Sequence, residues 1–330
     1  MPAQRAQDGM TTSEPPITAI VVTGPTASGK SAAALRIATA FGGTVINADS
    51  MQVYRELRIL TARPTPEEEA AAPHRLYGVL SAAEACSAGR WRGWAVREIA
   101  AASATGSLPV VVGGTGLYLK ALLEGLAPIP DTPPEVRERV RDRLREQGAA
   151  ALFAELADRD PATAERISPS DMQRLLRGLE VLEATGEPLS VWQSRSPRVD
   201  GGEIRALTLV LAPPREAVYA ACDARFDRML EAGALDEVAR LAAMRLPPDL
   251  PAMRAVGVRD LLRHVAGEIG LPEARERAQR STRQYAKRQM TWLRHQTEGL
   301  WFAEQFSESV WQKIFSNIRE FLLTPRGLTE

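Results

Sequence analysis

The sequence predicts an α/β fold: a parallel sheet core of the phosphate-loop type, flanked by helices and carrying an all-helical insertion domain. Three observations predict it. Residues Gly24 to Ser31 read G-P-T-A-S-G-K-S, which fits the pattern G-x-x-x-x-G-K-[ST] without a gap. Short apolar runs, each closed by a glycine-containing or polar turn, alternate with helical stretches in the first part of the chain. From Pro128 to about Arg198 that alternation stops and only helical pattern remains.

Residues 1–16, M-P-A-Q-R-A-Q-D-G-M-T-T-S-E-P-P, hold no apolar signal core and read as a disordered tail, so a cytoplasmic location is expected. Ala19 to Val22 is the first strand. It enters the phosphate loop, and an alanine-rich stretch with Leu35 and Ile37 at helical spacing leaves it. Thr44 to Ile46 and Leu108 to Val112 are the next strands, short and β-branched as suits burial on both faces. P-P-E-V-R-E-R-V-R-D-R-L-R, A-A-L-F-A-E-L and S-D-M-Q-R-L-L-R-G-L-E-V-L then form a helical insertion. Its bounds are Pro128 to Pro134 and the turn S-R-S-P-R-V-D-G-G at Ser194 to Gly202. Ala206 to Leu211, closed by Pro213-Pro214, returns to the same sheet, and everything after Pro214 reads as helical. Val310 to Leu323 has the pattern of an amphipathic packing helix. The expected organisation is a P-loop NTPase-like core over 17–127 and 199–300, a helical insertion over 128–198 and a C-terminal helical tail over 301–330.

At 330 residues, with 45% hydrophobic and 25% charged residues, the chain is an ordinary globular one whose core needs no covalent staples. No apolar run approaches the roughly 18 residues of a membrane span, so a membrane partner is not expected. Cys86 and Cys222 lie too far apart for a disulfide framework or a zinc-ligand spacing, which fits a reducing compartment and buried, small apolar roles. Net charge is zero, 41 cations against 41 anions, and gives no hint of a nucleic-acid partner. Its distribution does. From Arg275 to His295 the chain carries Arg275, Arg277, Arg280, Arg283, Lys287, Arg288 and Arg294 against one acid, Glu276. Nearly all the cations of the protein are Arg, which favours bidentate contacts with phosphate.

The chemistry gathers at strand ends. In a phosphate loop, glycines turn backbone N–H groups inward on an anion and the helix N-terminus adds its dipole. Lys30 reaches the terminal phosphate, and Ser31 can ligate Mg²⁺. None of this specifies ATP, because a diphosphate presents the same oxygens on any carrier. T-V-I-N-A-D-S-M-Q-V-Y, residues 44–54, sets Asp49 at a strand C-terminus beside the loop. It is placed there to act as a Mg²⁺-linked carboxylate, as a general base, or simply as a cap on the next turn. L-P-V-V-V-G-G-T-G-L-Y-L-K, residues 108–120, ends in Gly113-Gly114-Thr115-Gly116, with no carboxylate where many phosphate-loop ATPases place one. These glycines would let a substrate group approach the backbone, and Thr115 offers a hydroxyl. The reading therefore moves from ATP hydrolysis towards transfer chemistry in which diphosphate is the leaving group. Near the end, Arg280, Arg283, Lys287 and Arg294 recur along one helical face, with Tyr285 and Trp292 on a neighbouring one. Such a helix either tracks a nucleic-acid backbone and stacks a base, or is solvated while its aromatics pack inside.

Together these residues resemble a known family, the tRNA dimethylallyltransferases, also called tRNA isopentenyltransferases. Seven stretches look like its motifs, in its order, over about residues 18–295: G-P-T-A-S-G-K-S (24–31), A-D-S-M-Q-V-Y (48–54), T-A-R-P (61–64), V-V-G-G-T-G-L-Y-L-K-A-L (111–122), D-M-Q-R-L-L-R-G-L-E-V (171–181), P-A-M-R-A-V-G-V-R (251–259) and T-R-Q-Y-A-K-R-Q-M-T-W-L-R (282–294). The resemblance implies that a five-carbon dimethylallyl group passes from dimethylallyl diphosphate to N6 of adenosine 37 in the anticodon stem-loop of certain tRNAs. It also implies that Mg²⁺ assists and that the enzyme is a monomer. By the same resemblance Gly24, Pro25, Thr26, Ala27, Ser28, Gly29, Lys30 and Ser31 hold the diphosphate, Arg225 lies beside them, and Ser31 binds the metal. Asp49 accepts the amine proton, with Thr115 and Lys30 as the other catalytic groups. RNA contacts fall by resemblance to Asp49, Ser50, Met51 and Gln52, to Thr115, and on the insertion to Arg137, Gln173, Arg174, Leu175, Leu176 and Arg177. They continue through Arg254, Ala255, Val256, Gly257, Val258 and Arg259, then Lys287, Arg288, Gln289, Met290, Thr291, Trp292, Leu293 and Arg294. The insertion thereby becomes an arm that closes over the tRNA loop.

Some positions depart from the family pattern. His74-Arg75-Leu76-Tyr77-Gly78 stands where His-His-Leu and an acidic turn are usual, Gly257-Val258 where Gly-Tyr is usual, Arg63 where Lys is common, and Ser31 in place of Thr. None touches Lys30, Asp49 or Thr115, so activity is expected to be kept. Three rival readings explain less. A small-molecule kinase leaves the insertion and the basic helix without a role, and prenyl transfer to a free adenine nucleotide does not need them either. A non-enzymatic tRNA-binding module leaves Gly24 to Ser31 beside Asp49 unexplained.

Overall fold

Successive residues of a strand face opposite sides of its sheet, and in this chain that alternation sorts the buried residues into two cores. The computed structural model describes residues 16–195, 204–303 and 307–324. Six strands, β1 (Ile17–Thr23), β2 (Gly43–Asn47), β3 (His74–Arg75), β4 (Leu108–Gly113), β5 (Ile204–Leu211) and β6 (Leu300–Phe302), pair in the order β3-β2-β4-β1-β5-β6. Every pairing is parallel. Parallel neighbours need crossover connections, which α1 (Lys30–Phe41), α2 (Pro66–Ala71), α3 (Ala88–Ala104) and α4 (Gly116–Glu124) help to supply. Next come α5 (Pro134–Arg159), α6 (Pro161–Ala164), α7 (Met172–Thr185) and α8 (Leu189–Ser194). After β5 lie α9 (Arg215–Glu231), α10 (Ala234–Ala243), α11 (Val258–Val265), α12 (Leu271–Gln296) and α13 (Glu308–Leu323).

On one side of the sheet, Ile20, Val22, Val110, Val112 and Leu209 pack with Ala33 and Ile37 of α1 and with Val310, Ile314 and Ile318 of α13. On the other, Val21, Ile46 and Val111 meet Trp91 and Ile99 of α3, Tyr118 and Leu122 of α4, and Phe226, Leu241, Leu261 and Ala278 from α9 to α12. A sheet covered on both faces is the P-loop NTPase-like arrangement, with its ligand crevice outside the strand C-termini.

The chain divides into two compact units, residues 1–123 with 201–330, and residues 124–200. The second has its own core of Val136, Val140, Leu152, Leu156, Leu175 and Leu179. Gly148, at φ 79, kinks α5 inside it. Of the tail expected at 1–16, residues 1–15 lie outside the described residues, as do residues 196–202 of the turn expected at Ser194 to Gly202.

The expectation that everything after Pro214 is helical is corrected by β6. Leu300–Phe302 adds to the sheet edge by pairing with Leu209–Leu211. A three-residue strand is too short to show any periodicity, and so is β3 at the opposite edge. Cys222 is buried as expected, whereas Cys86 is half-exposed. Among the described residues no helix is long and apolar enough to cross a membrane.

Candidate active site

β1 ends at Thr23, whose hydroxyl donates to Gly113 O at 2.9 Å and ties the start of the phosphate loop to the end of β4. Gly24 must be glycine because a Cβ there would lie 2.5 Å from Leu211 O and 2.6 Å from Ser28 Oγ. Gly29, at φ 85, turns the loop into α1, which has no side-chain cap and no acid in its first turn. Its leading N–H groups are therefore left for an anion. Ser28 Oγ is buried in the same cradle without a hydrogen-bond partner. Lys30 Nζ donates to Pro25 O at 3.2 Å. Burial pushes its ammonium from 10.5 down to about 8, against the pull of the Asp49 carboxylate and with the push of the Arg225 guanidinium. Arg225, on α9, donates to the Thr26 hydroxyl, and burial lowers its pKa also. Ser31 exposes its side chain on the first turn of α1.

Asp49 is held by a residue that sequence reasoning passed over. Asn47, fully buried at the end of β2, accepts the Asp49 N–H at 2.8 Å and donates to Asp49 O at 3.0 Å and to Leu76 O at 3.1 Å. The polar residue closing the apolar run V-I-N was the available signal. Asp49 Oδ1 accepts the Met51 N–H at 2.9 Å. Thr115 Oγ1 accepts the Ser50 N–H at 2.9 Å and donates to Ser50 Oγ at 3.2 Å, which brings the ends of β2 and β4 together.

The glycines after β4, expected to make room for a substrate group, do something else in the structure. A Cβ on Gly113 would strike the Ala48 backbone, one on Gly114 the Gln289 amide, and one on Gly116 the Trp292 indole. They make room for protein.

Thr26, Asp49, Ser50 and Arg225 line a cavity of ≈ 250 Å³. The rest of its wall contains Thr61 of the T-A-R-P stretch and Tyr285 of α12, together with residues not anticipated from sequence: Leu60, then Cys222, Phe226 and Met229 of α9. Cys222, Arg225, Phe226 and Met229 follow the i, i+3, i+4, i+7 rule and so form one helical stripe, a legible signal. The Tyr285 phenol faces the Thr115 hydroxyl. Burial pushes its pKa far up, with the Asp49 charge adding to the effect.

The basic stripe expected on α12 is split by its partners. Arg283 is bound by both oxygens of Asp223 on α9, at 2.6 and 2.7 Å, and Arg280 pairs with Glu276 on its own helix. Lys287, Met290, Thr291 and Arg294 line a smaller cavity with Pro25 and Arg215. Arg288 instead joins Arg254, Arg259, Arg263 and Arg277 along a groove also lined by Asp260, with Arg263 paired to Glu268 at 3.0 Å and Arg277 to Glu273 at 2.7 Å. Ala255, Val256 and Gly257 line that groove as well. Gln289, Leu293 and Val258 are buried, the last in the core where the family pattern has an aromatic. Trp292 packs over Gly116. Gln52 donates to Thr61 O and Ala62 O and so braces the loop that carries Leu60.

Within the second unit, Arg137, Gln173 and Arg174 are exposed, Leu176 and Arg177 half-buried, and Leu175 is a core residue. Arg177 donates to Thr132 Oγ1 at 2.7 Å. Around the departures from the family pattern, the His74 and Tyr77 rings meet edge-on at 5.5 Å, and the Arg63 guanidinium fills the space a side chain at Gly78 would need.

Two family models match the chain, one described as IPP transferase over residues 52–296 and one as isopentenyl transferase over residues 17–85. A tRNA dimethylallyltransferase of Rhodospirillum rubrum is 57% identical over 315 residues, 92% of this chain and 95% of that one. One of Paramagnetospirillum magneticum is 54% identical over 307 residues, 93% and 97% of the two chains. Among solved structures, a full-length tRNA isopentenylpyrophosphate transferase of Bacillus halodurans superposes with a TM-score of 0.67 at 30% identity, covering 93% of this chain and 97% of that one. A eukaryotic dimethylallyltransferase acting on tRNA gives a TM-score of 0.77 at 26% identity, covering 94% and 81%.

Proposed function

Because the chain belongs to the family of tRNA dimethylallyltransferases, the IPP transferases, we propose that it transfers a dimethylallyl group to N6 of adenosine 37 in the anticodon loop of tRNA. The donor in this reading is dimethylallyl diphosphate, and diphosphate is released. One observation carries the reading at the site: Thr26 of the phosphate loop, Arg225 and Asp49 line a single cavity together with apolar Leu60, Phe226 and Met229. That wall suits a short hydrocarbon next to a phosphate cradle and a base.

In the reaction, the bond between the allylic carbon and the diphosphate oxygen breaks and its electron pair leaves with the diphosphate. Lys30, Arg225 and the leading N–H groups of α1 neutralise the charge that builds on that oxygen. The exocyclic amine of adenine is a poor nucleophile because its lone pair is delocalised into the ring. Asp49, held from behind by Asn47, takes the N6 proton as the N–C bond forms. Thr115, fixed by Ser50, orients the reacting groups. In this reading Ser31, whose side chain is exposed at the start of α1 beside the phosphate loop, would ligate Mg²⁺ together with the diphosphate oxygens. When bound, the ion supplies further neutralisation of the diphosphate oxygens.

The target base must leave its stack, at a cost of a few kcal/mol in a single-stranded loop. The groove of Arg254, Arg259, Arg263, Arg277 and Arg288 runs on from the cavity through Arg254 and Arg288, and its excess of arginine suits an RNA backbone. The enzyme works as a cytoplasmic monomer in this reading. The test is to incubate the protein with labelled dimethylallyl diphosphate, Mg²⁺ and either a tRNA with A36-A37-A38 or AMP. Label in the tRNA is expected. Label in AMP alone, or ATP consumption without prenyl transfer, would sink the reading.

A further inference from the structure

Gln289 sits on the inward stripe of α12, with Thr282 and Tyr285 on one side and Trp292 on the other. It is 6% exposed, and both ends of its amide are committed. Oε1 accepts the Thr26 N–H of the phosphate loop at 2.8 Å, across 263 residues of sequence. Nε2 donates to Gly114 O after β4 at 2.8 Å, across 175 residues. The two contacts fix the orientation of the amide, because an N–H must meet an oxygen and a carbonyl must meet an N–H. The glycine at 114 is what lets it come so close, since a Cβ there would occupy the position of Nε2. Thr26 is thus gripped twice, at its N–H by α12 and at its hydroxyl by Arg225 of α9.

The neighbour of Gln289 in sequence is Arg288, which is exposed and lines both the reaction cavity and the arginine groove. A helix moves as a rigid element, so a shift of α12 that serves ligands at Arg288 cannot leave Gln289 behind. A buried amide with two directional bonds has no slack, and a displaced one would orphan the Thr26 N–H.

We propose that Gln289 is a positioning residue that couples RNA binding on the outer face of α12 to the shape of the phosphate loop. RNA and diphosphate then strengthen each other's binding, and the coupling runs through this side chain. By linkage the effect is reciprocal. The inference rests on the acceptor and donor proposed above.

The experiment measures binding of inorganic pyrophosphate with Mg²⁺, with and without an anticodon stem-loop RNA, for the full-length protein and for Gln289→Met, which keeps volume and flexibility but makes neither bond. In the parent, RNA tightens pyrophosphate binding by about fivefold or more, and pyrophosphate tightens RNA by the same factor. In Gln289→Met the factor falls to near one. An unchanged factor in a folded Gln289→Met, or no coupling in the parent, overturns the inference. A large loss of RNA affinity with the factor intact would make Gln289 an RNA contact and also overturn it. If Gln289→Met does not fold, hydrogen exchange of the parent decides. RNA alone must change the protection of residues 23–31, and no change refutes the coupling. Failure of the parent to bind either RNA or pyrophosphate would instead remove the proposed function.

Discussion

Replacing Asp49 by Asn separates its chemistry from its place in the fold. Asp49 Oδ1 accepts the Met51 N–H at 2.9 Å, and the backbone N–H of Asp49 donates to Asn47 Oδ1 at 2.8 Å. An amide at position 49 keeps an oxygen for Met51 and leaves the Asn47 bond untouched, so stability should change by less than about 1 kcal/mol. What the amide cannot do is accept a proton. Losing a positioned general base costs typically ~10²–10⁴-fold, which is about 2.7–5.5 kcal/mol of barrier. Asp49→Ala removes the Met51 acceptor too and should lose roughly 1 kcal/mol of stability on top of the same rate effect. The assay is single-turnover transfer of labelled donor to an anticodon stem-loop, with RNA binding and urea unfolding measured on the same preparations. Transfer by Asp49→Asn within about threefold of the parent would refute the assignment, because a positioned general base typically contributes ~10²-fold or more. A drop in RNA affinity that matched the drop in rate would recast Asp49 as a binding group.

The remaining predictions concern the cradle and its supports. Lys30 has its pKa lowered to about 8 in the folded protein, so pyrophosphate binding should take up a proton and weaken by up to about tenfold per pH unit above 8. Calorimetry in buffers of different ionisation enthalpy at pH 8.5 would detect this proton, and Lys30→Met should abolish it. For stability the sign is opposite: between about 8 and 10.5 the unfolded chain holds the proton that the folded one has lost, so the contribution of Lys30 to stability rises with pH across that window. Glu237, 4% exposed, accepts the N–H groups of Arg58 and Ile59 at 2.7 Å and of Leu60 at 2.9 Å. Glu237→Ala strands these donors, and urea unfolding should report a loss of about 3 kcal/mol or more, with weaker donor binding because Leu60 and Thr61 line the cavity. Gly113→Ala should fold less stably and lose on the order of 10²-fold in transfer, since its Cβ would displace the Ala48 backbone next to Asp49. A Gly113→Ala enzyme of parental rate would mean that this close approach is not needed.

The split of the α12 cations bears on how such helices are read. Spacing places Arg280, Arg283, Lys287 and Arg294 on one face, and it says nothing about what stands opposite. Asp223 and Asp227 of α9 lie across from that helix, so Arg283 pairs with the first and Arg275 with the second. Arg254, Arg259 and Arg263, from a segment with no basic pattern of its own, complete the groove instead.

Local chemistry wrote the parts of this protein that need only near neighbours. The phosphate loop, the strands β1, β2, β4 and β5, the helical run of the insertion and the placement of Asp49 and Thr115 after strand ends all follow from periodicity and from which residues turn a chain. Tertiary structure alone decided who meets whom: that Asn47 holds Asp49, that Gln289 bridges Thr26 and Gly114, that Cys222, Phe226 and Met229 of α9 wall the cavity, and that the glycines after β4 make room for Ala48, Gln289 and Trp292. The physical reason is range. A turn or a helical stripe is fixed by residues within a few positions of one another, whereas a buried amide finds its partners 175 and 263 residues away only once the sheet has set its strand order.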